Sequence, residues 1–219
     1  MPTRQKFDDD LEELRLNILE LGKMVDDRIG LAVSSMVNQD LEVANSVVVG
    51  DLAVNDLQAI IESKCILLIA TQQPFARDLR KLVAGFKISI YLERMADLSV
   101  DLAKITLRIG RDKFIKPLID IPKMGALVQD MLNSGLRAYI QEDCDAASMM
   151  AQMDDEVDRL YAQVYYDLQV LMMEDPNKVT QANYLLFAGR FTERMGDYCT
   201  NIAEEIVYLC SGKRVYLNE

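Results

Sequence analysis

The 219-residue chain contains no histidine and no tryptophan, and only ten glycines, five prolines and four cysteines. The missing histidine restricts function most, because it excludes Ser-His-Asp and Cys-His catalysis and every metal site built on imidazole. Chemistry here falls to carboxylates, amides and guanidinium groups. Scarce glycine and proline, beside a 50% apolar content, imply a packed and mostly regular protein rather than a disordered one. Cys65, Cys144, Cys199 and Cys210 form no C-x-x-C pair and read as reduced core residues. No apolar run approaches the roughly 18 to 20 residues of a membrane span, and the opening Met-Pro-Thr-Arg-Gln-Lys-Phe-Asp-Asp-Asp lacks a signal-peptide core. Positive charge is also in short supply: 24 Lys and Arg face 35 Asp and Glu, and the net charge of −11 repels nucleic-acid phosphates and anionic lipid alike. A cytoplasmic protein that binds no nucleic acid and inserts into no membrane is expected.

What is present is a duplication. Glu93-Arg94-Met95-Ala96-Asp97 returns as Glu193-Arg194-Met195-Gly196-Asp197, an offset of 100 residues. Asp40 aligns with Asp143, Ala44 with Ala147, and Asp51-x-x-Val54-Asn55 with Asp154-x-x-Val157-Asp158, all at an offset of 103. Gln72-Gln73-Pro74 falls opposite Glu174-Asp175-Pro176 at an offset of 102. Drift that small means nearly equal elements in two halves that share one continuous core. No cysteine recurs at its equivalent position.

Helical periodicity runs throughout. Leu11, Leu14, Ile18, Leu21, Val25, Ile29, Ala32 and Met36 alternate three and four apart, which predicts a first helix over about 5–38. Asp40 is placed to cap a second helix over 41–71, whose stripe is Val47, Val54, Leu57, Ile61, Cys65 and Leu68. Pro74 can open a third helix that reaches Ile109, with Gly110 behind it. The second half repeats the plan over about 123–141, 143–174 and 176–211, with Gly212 past the end. The expected organisation is all-α: a three-helix repeat over 1–110, a connector over 111–122 with Pro117 and Pro122, and a second three-helix repeat over 123–219.

The acids fall on one ribbon. At 100° per residue Glu93, Asp97 and Asp101 span about 80°, whereas Met95, Leu98, Leu102 and Ile105 lie roughly opposite. Like charges four apart repel by a few tenths of a kcal/mol, so their recurrence raises the question of what neutralises them. A multivalent cation would: hard oxygen ligands suit Mg²⁺, Ca²⁺ or Mn²⁺, and ferric iron also fits. Asp51 with Asn55, and Asp154 with Asp158, supply the same i,i+4 spacing from the second helix of each half. Two facing helices would then close one oxygen-rich site per repeat. The bland alternative is a set of ordinary surface ion pairs, Arg94 with Asp97, Arg194 with Asp197 and Arg190 with Glu193.

The two Glu-Arg-Met-x-Asp strings, the Asp-x-x-Val-Asn/Asp segments, and Gln72-Gln73-Pro74 followed by Ala76-Arg77-Asp78-Leu79-Arg80 together resemble the PhoU family over nearly the whole chain. The resemblance implies two tandem three-helix bundles related by a pseudo-twofold axis, each with a multinuclear metal site holding divalent or trivalent ions such as Mg, Mn, Fe or Zn. It implies a negative regulator of phosphate uptake and of phosphate-starvation signalling: an adaptor between the phosphate ABC transporter with its ATPase and a sensor histidine kinase, often a homodimer, and not an enzyme. Carried onto this chain, the family's motif selects Glu93, Asp97 and Asp101 in the first repeat and Glu193 and Asp197 in the second, with Asp51 and Asp154 from the preceding helices. Asn201 stands where Asp101 would predict an acid, and Asn55 where Asp158 is acidic. Their amide oxygens can still coordinate a hard cation but bring no charge, so the two sites are expected to differ.

Two other readings compete. A carboxylate-based Mg- or Mn-dependent hydrolase is conceivable, although no phosphate-cradling loop accompanies the acids, and a ferritin-like di-iron enzyme would need the histidines that are missing. A metal-free helical scaffold is the third. Arg77, Asp78 and Arg80 are candidates for a partner contact or an anion site, against the plainer reading of a solvated first turn.

Overall fold

The computed structural model describes residues 2–217. It is 87% helical, with no strand among the described residues. Helices α1 (Pro2–Asn38), α2 (Leu41–Val49), α3 (Leu52–Gln72) and α4 (Ala76–Ile109) form the first half; α5 (Asp120–Gln141), α6 (Cys144–Ser148), α7 (Met150–Glu174) and α8 (Val179–Ser211) form the second. A single 3-10 turn, Pro176–Lys178, precedes α8.

The expected seams are buried. Leu14, Ile18, Leu21, Val25, Ile29, Ala32 and Met36 line the core from α1, while Leu11 is packed at its margin. Val47, Val54, Ile61, Cys65 and Leu68 are buried from α2 and α3, as are Met95, Leu98, Leu102 and Ile105 from α4. Asp40 and Asp143 cap equivalent helices in equivalent ways: the carboxylate of each accepts from the two backbone N–H groups two and three residues on, at 3.0 to 3.1 Å.

Several element boundaries differ from the sequence expectation. The second helix of each half is broken, after Val49 in the first and at Met149 in the second. At the first break Arg28 of α1 donates to the carbonyls of Val47 and Gly50, a cross-helix satisfaction of carbonyls that an unbroken helix would use itself. Pro74 lies outside α4, because Phe75 is the extended N-cap residue and accepts from the N–H of Asp78 at 2.8 Å. Helix α5 begins at Asp120 and carries Pro122 in its first turn, where a missing N–H costs nothing. The connector before it is held to α8: Gln181 accepts from the N–H of Ile115 and donates to the carbonyl of Lys113.

A pseudo-twofold axis passes between α1 and α5. Asp26 and Gln129, equivalent at the offset of 103, touch each other: Gln129 Nε2 donates to the backbone and side-chain oxygens of Asp26, both at 3.1 Å. On either side, a Cβ placed on Gly22 would stand 2.6 Å from Leu136, and one on Gly125 would stand 2.7 Å from Val33. Gly22 and Gly125 are equivalents, and so are Val33 and Leu136. Each helix therefore receives its partner's large side chain against a glycine, and the two backbones approach closely without a void. Helices α4 and α8 make the most extensive contact in the molecule, and the Tyr91 and Tyr198 rings stack across it with centroids 6.0 Å apart. Both halves thus share one core.

Candidate functional site

In the first half, α3 packs against α4, and the acids of both helices meet where they do. Asp51 precedes α3, and Asn55 donates to its Oδ2 at 3.2 Å. The remaining oxygens, Asp51 Oδ1 and Asn55 Oδ1, are buried without a hydrogen-bond partner. From α4, the Glu93 carboxyl is held above the usual range by burial and then by the charge of Asp97, with Asp51 adding to it. Asp97 is raised by burial first and by Asp51 next. Asp101 raises Asp97 as well, by a smaller amount, so the four acids assigned to this site are linked through Asp97. Two arginines soften the cluster. Arg94 lies 3.4 Å from both Glu93 and Asp97, and Arg28 lies 3.7 Å from Asp51 Oδ1.

Asp101 differs from the other three in having a lysine partner of its own. Its carboxylate accepts from Lys104 at 2.9 Å, one turn further along the exposed side of α4. Ordinary surface pairing describes Asp101 well, and it describes Arg94 with Asp97 in part.

The second cluster, between α7 and α8, is deeper. Asp154 is 5% exposed and Glu193 8%, so two carboxylates sit within a helix interface. Burial, followed by the charges of Asp158, Asp197 and Glu193, pushes the Asp154 carboxyl up to about 7. Burial and Asp197 likewise push Glu193 up to about 7, although Arg190 donates to Glu193 Oε1 at 2.5 Å. Asp197 is raised by burial and by Asp158, and Asp158 by burial and by Asp155. Asp154 Oδ1 and Glu193 Oε2 are buried without a hydrogen-bond partner. Arg194 donates to the Tyr198 hydroxyl at 3.4 Å. Asn201 is half-buried one turn beyond Asp197, and among the described residues its amide makes no side-chain hydrogen bond.

Two participants were not apparent in the sequence. Arg28 gives the first cluster a cation from α1, whereas its equivalent at the offset of 103 is the buried Met131. Gly196 lets Asp154 lie against the backbone of α8, since a Cβ there would stand 2.6 Å from Asp154 Oδ1. The first repeat has the buried Ala96 instead. The variable position of Glu-Arg-Met-x-Asp was the available signal. Among the described residues, no three Asp, Glu or Cys side chains are already gathered to hold a metal ion. The carboxylates share a neighbourhood, and Glu93 and Asp97 are close enough to hydrogen-bond to each other.

The first turn of α4 is not simply solvated. Arg77 and Asp78 border a cleft of about 640 Å³ whose walls also include Leu11, Arg15, Lys81 and Tyr139. Glu142, after α5, accepts from Arg77 at 2.5 Å and from Lys81 at 2.7 Å. Arg80 turns inward: its Nε is buried without a hydrogen-bond partner, and its guanidinium lies against Gly212.

These features define a duplicated helical-bundle protein with one carboxylate cluster per repeat, each set between the second and third helical segments. The PhoU domain profile matches residues 18–106 and 121–206, one copy in each half. The chain is 38% identical over 218 residues to the phosphate-specific transport system accessory protein PhoU homolog of Clostridium acetobutylicum, covering 99% of this chain and 100% of that one. It is 34% identical to the Aquifex aeolicus homolog of the same name over 94% of this chain and 93% of that one. The crystal structure of PhoU from Pseudomonas aeruginosa superposes with a TM-score of 0.91 at 31% identity, over 94% of this chain and 100% of that one. That of the phosphate transport system regulatory protein PhoU from Streptococcus pneumoniae gives 0.89 at 30% identity, over 96% and 99%. The chain belongs to the PhoU family.

Proposed function

We propose that this chain is a cytoplasmic regulatory adaptor of phosphate uptake, which restrains both the transporter and phosphate-starvation signalling. It does so by binding the ATPase of a phosphate ABC transporter and a sensor histidine kinase, works as a homodimer, and catalyses no reaction of its own. Its relatives are named as accessory and regulatory proteins of phosphate transport. No described helix is long and apolar enough to cross a membrane, so contact with a transporter would be made through protein surfaces. Helix α3 offers one: Leu52, Ile60, Ile66 and Leu67 face outward, opposite the core-facing Val54, Ile61, Cys65 and Leu68. A helix apolar on both faces supports a role in protein contact.

The observation that carries the metal-binding part is the set of buried carboxylate oxygens without partners, two of them in the second cluster. A buried, unpaired anion is costly, and more so beside others of the same sign. A hard cation would remove that cost, and the donor set, with oxygen atoms alone, suits Mg, Mn or Fe, with Zn acceptable. Asp51, Asn55, Glu93 and Asp97 would hold it in the first repeat, with Asp101 recruited from Lys104. In the second, Asp154, Asp158, Glu193 and Asp197 would hold it, with Asn201 at the edge. The ion would supply charge neutralisation that joins α7 to α8 and α3 to α4.

Gly196→Ala is expected to displace the Asp154 carboxylate and lower the metal retained per chain, with the loss confined to the second cluster. Elemental analysis of protein purified without chelator measures this, and an unchanged metal content with intact helicity would reject the assignment of Asp154. The regulatory part is tested in cells lacking this chain. They are expected to express phosphate-starvation genes in high phosphate, and capture on the tagged protein from phosphate-replete wild-type cells should recover a transporter ATPase or a histidine kinase. Normal repression in the deletion strain would overturn the proposal.

A further inference from the structure

Two of the four cysteines are not core residues. Cys65 and Cys199 are fully buried, whereas Cys144 and Cys210 are half-buried. Cys144 opens α6, Cys210 stands in the last turn of α8, and these two helices pack on each other. Their contact is reciprocal. Cys210 Sγ donates to the carbonyl of Glu142, two residues before Cys144, at 3.2 Å. Cys144 Sγ lies 4.0 Å from the carbonyl of Val207, three residues before Cys210. Each thiol reaches the backbone beside the other, and Cys144 is near enough to Cys210 to raise that thiol's pKa.

We propose that Cys144 and Cys210 are an oxidation site, closing a reversible intramolecular disulfide when the protein meets hydrogen peroxide. In the first step the Cys144 thiolate attacks one peroxide oxygen. An S–O bond forms, the O–O bond breaks, and the departing hydroxide takes up a proton to leave as water. In the second step the Cys210 sulfur attacks the Cys144 sulfenic acid. The S–S bond forms, the S–O bond breaks, and the hydroxyl departs as water with the Cys210 proton. Two thiols and one peroxide give one disulfide and two waters, the two electrons passing from sulfur to oxygen. Burial, and then the adjacent Cys144, push the Cys210 thiol up to about 12. A half-buried pair is the kind of disulfide that thiol reductants return, which suits transient use in a reducing compartment.

The bond would tie the turn at Glu142 and Asp143 to the end of α8. Glu142, two residues before Cys144, and Leu209, next to Cys210, line the 640 Å³ cleft, and Glu142 holds Arg77 and Lys81 there. Oxidation would therefore fix two walls of that cleft against each other.

The test uses the full chain, treated with hydrogen peroxide while folded, then denatured and alkylated for intact-mass and peptide analysis. The expected product is a monomer about 2 Da lighter than the reduced chain, as loss of two hydrogens requires. Its free thiols fall from four to two. Its single cross-link joins the Cys144 and Cys210 peptides, disappears with dithiothreitol, and does not form in Cys144→Ser. Full alkylation at both positions after treatment, a sulfinic acid stable at Cys144, or a bridge to Cys65 or Cys199 would each overturn the proposal.

Discussion

Chelator-treated protein should lose stability as the pH rises from about 4.5 to about 7, the reverse of the usual acid-denaturation profile. Asp154 and Glu193 are pushed up to about 7 in the folded chain, so the folded state holds protons there that the unfolded state has already released. Protonation favours folding in that window, and deprotonation removes the benefit until both acids are ionised. Below about 4.5 the ordinary effect takes over, because Glu142 and Asp167, held low by their lysine and arginine partners, lose those pairs on protonation. One pKa step corresponds to about 1.4 kcal/mol, and since the two acids titrate as an interacting pair the net loss is about 2–4 kcal/mol. For a chain of this size that is a fall in melting temperature of roughly 5–15 °C. Thermal unfolding across a pH series in chelator measures it. A curve that is flat or rising between pH 4.5 and 7 would show that the two acids are not strained. Added Mn²⁺ or Mg²⁺ at pH 8 should restore most of the lost stability.

Replacing the strained pair should separate fold from function. The double variant Asp154→Asn with Glu193→Gln keeps the shape of both side chains and removes two buried negative charges. Without metal at pH 8 it is expected to melt above the wild-type chain, by about 1–3 kcal/mol of added stability, because an amide is cheaper to bury than an unpaired carboxylate. It should also retain less metal and gain little stability when a cation is supplied. A loss of stability in chelator would mean that the acids serve the fold, and undiminished stabilisation by cation would place the ion elsewhere. A site whose ligands destabilise their own empty state is a familiar trade of stability for binding.

Much of this architecture was legible along the chain because it depends on local periodicity. The α1 stripe from Leu14 to Met36, the caps at Asp40 and Asp143, and the offset of 103 between halves are all one-dimensional signals. The face assignment of α4 was legible for the same reason: at helical spacing, Glu93 and Asp97 cannot share a side with Met95 and Leu102. The breaks after Val49 and at Met149 were not, since the first depends on Arg28, about 20 residues earlier on another helix. The departure of Asp101 was local, with Lys104 three residues on, yet whether the acid turns to that lysine or to Asp97 depends on which side is open to water.

The linear order of residues determined the helical class, the twofold repetition and the ribbon of acids, because each follows from short-range geometry repeated along one chain. Only the packed structure decided which acids are strained, which are already paired, and which cysteines meet. Burial and the identity of a neighbour come from other helices: Arg28 beside Asp51 and Gly196 beneath Asp154 make unequal sites from nearly equal motifs. Electrostatic cost scales with lost solvent and with the charges across an interface, and neither is a property of spacing.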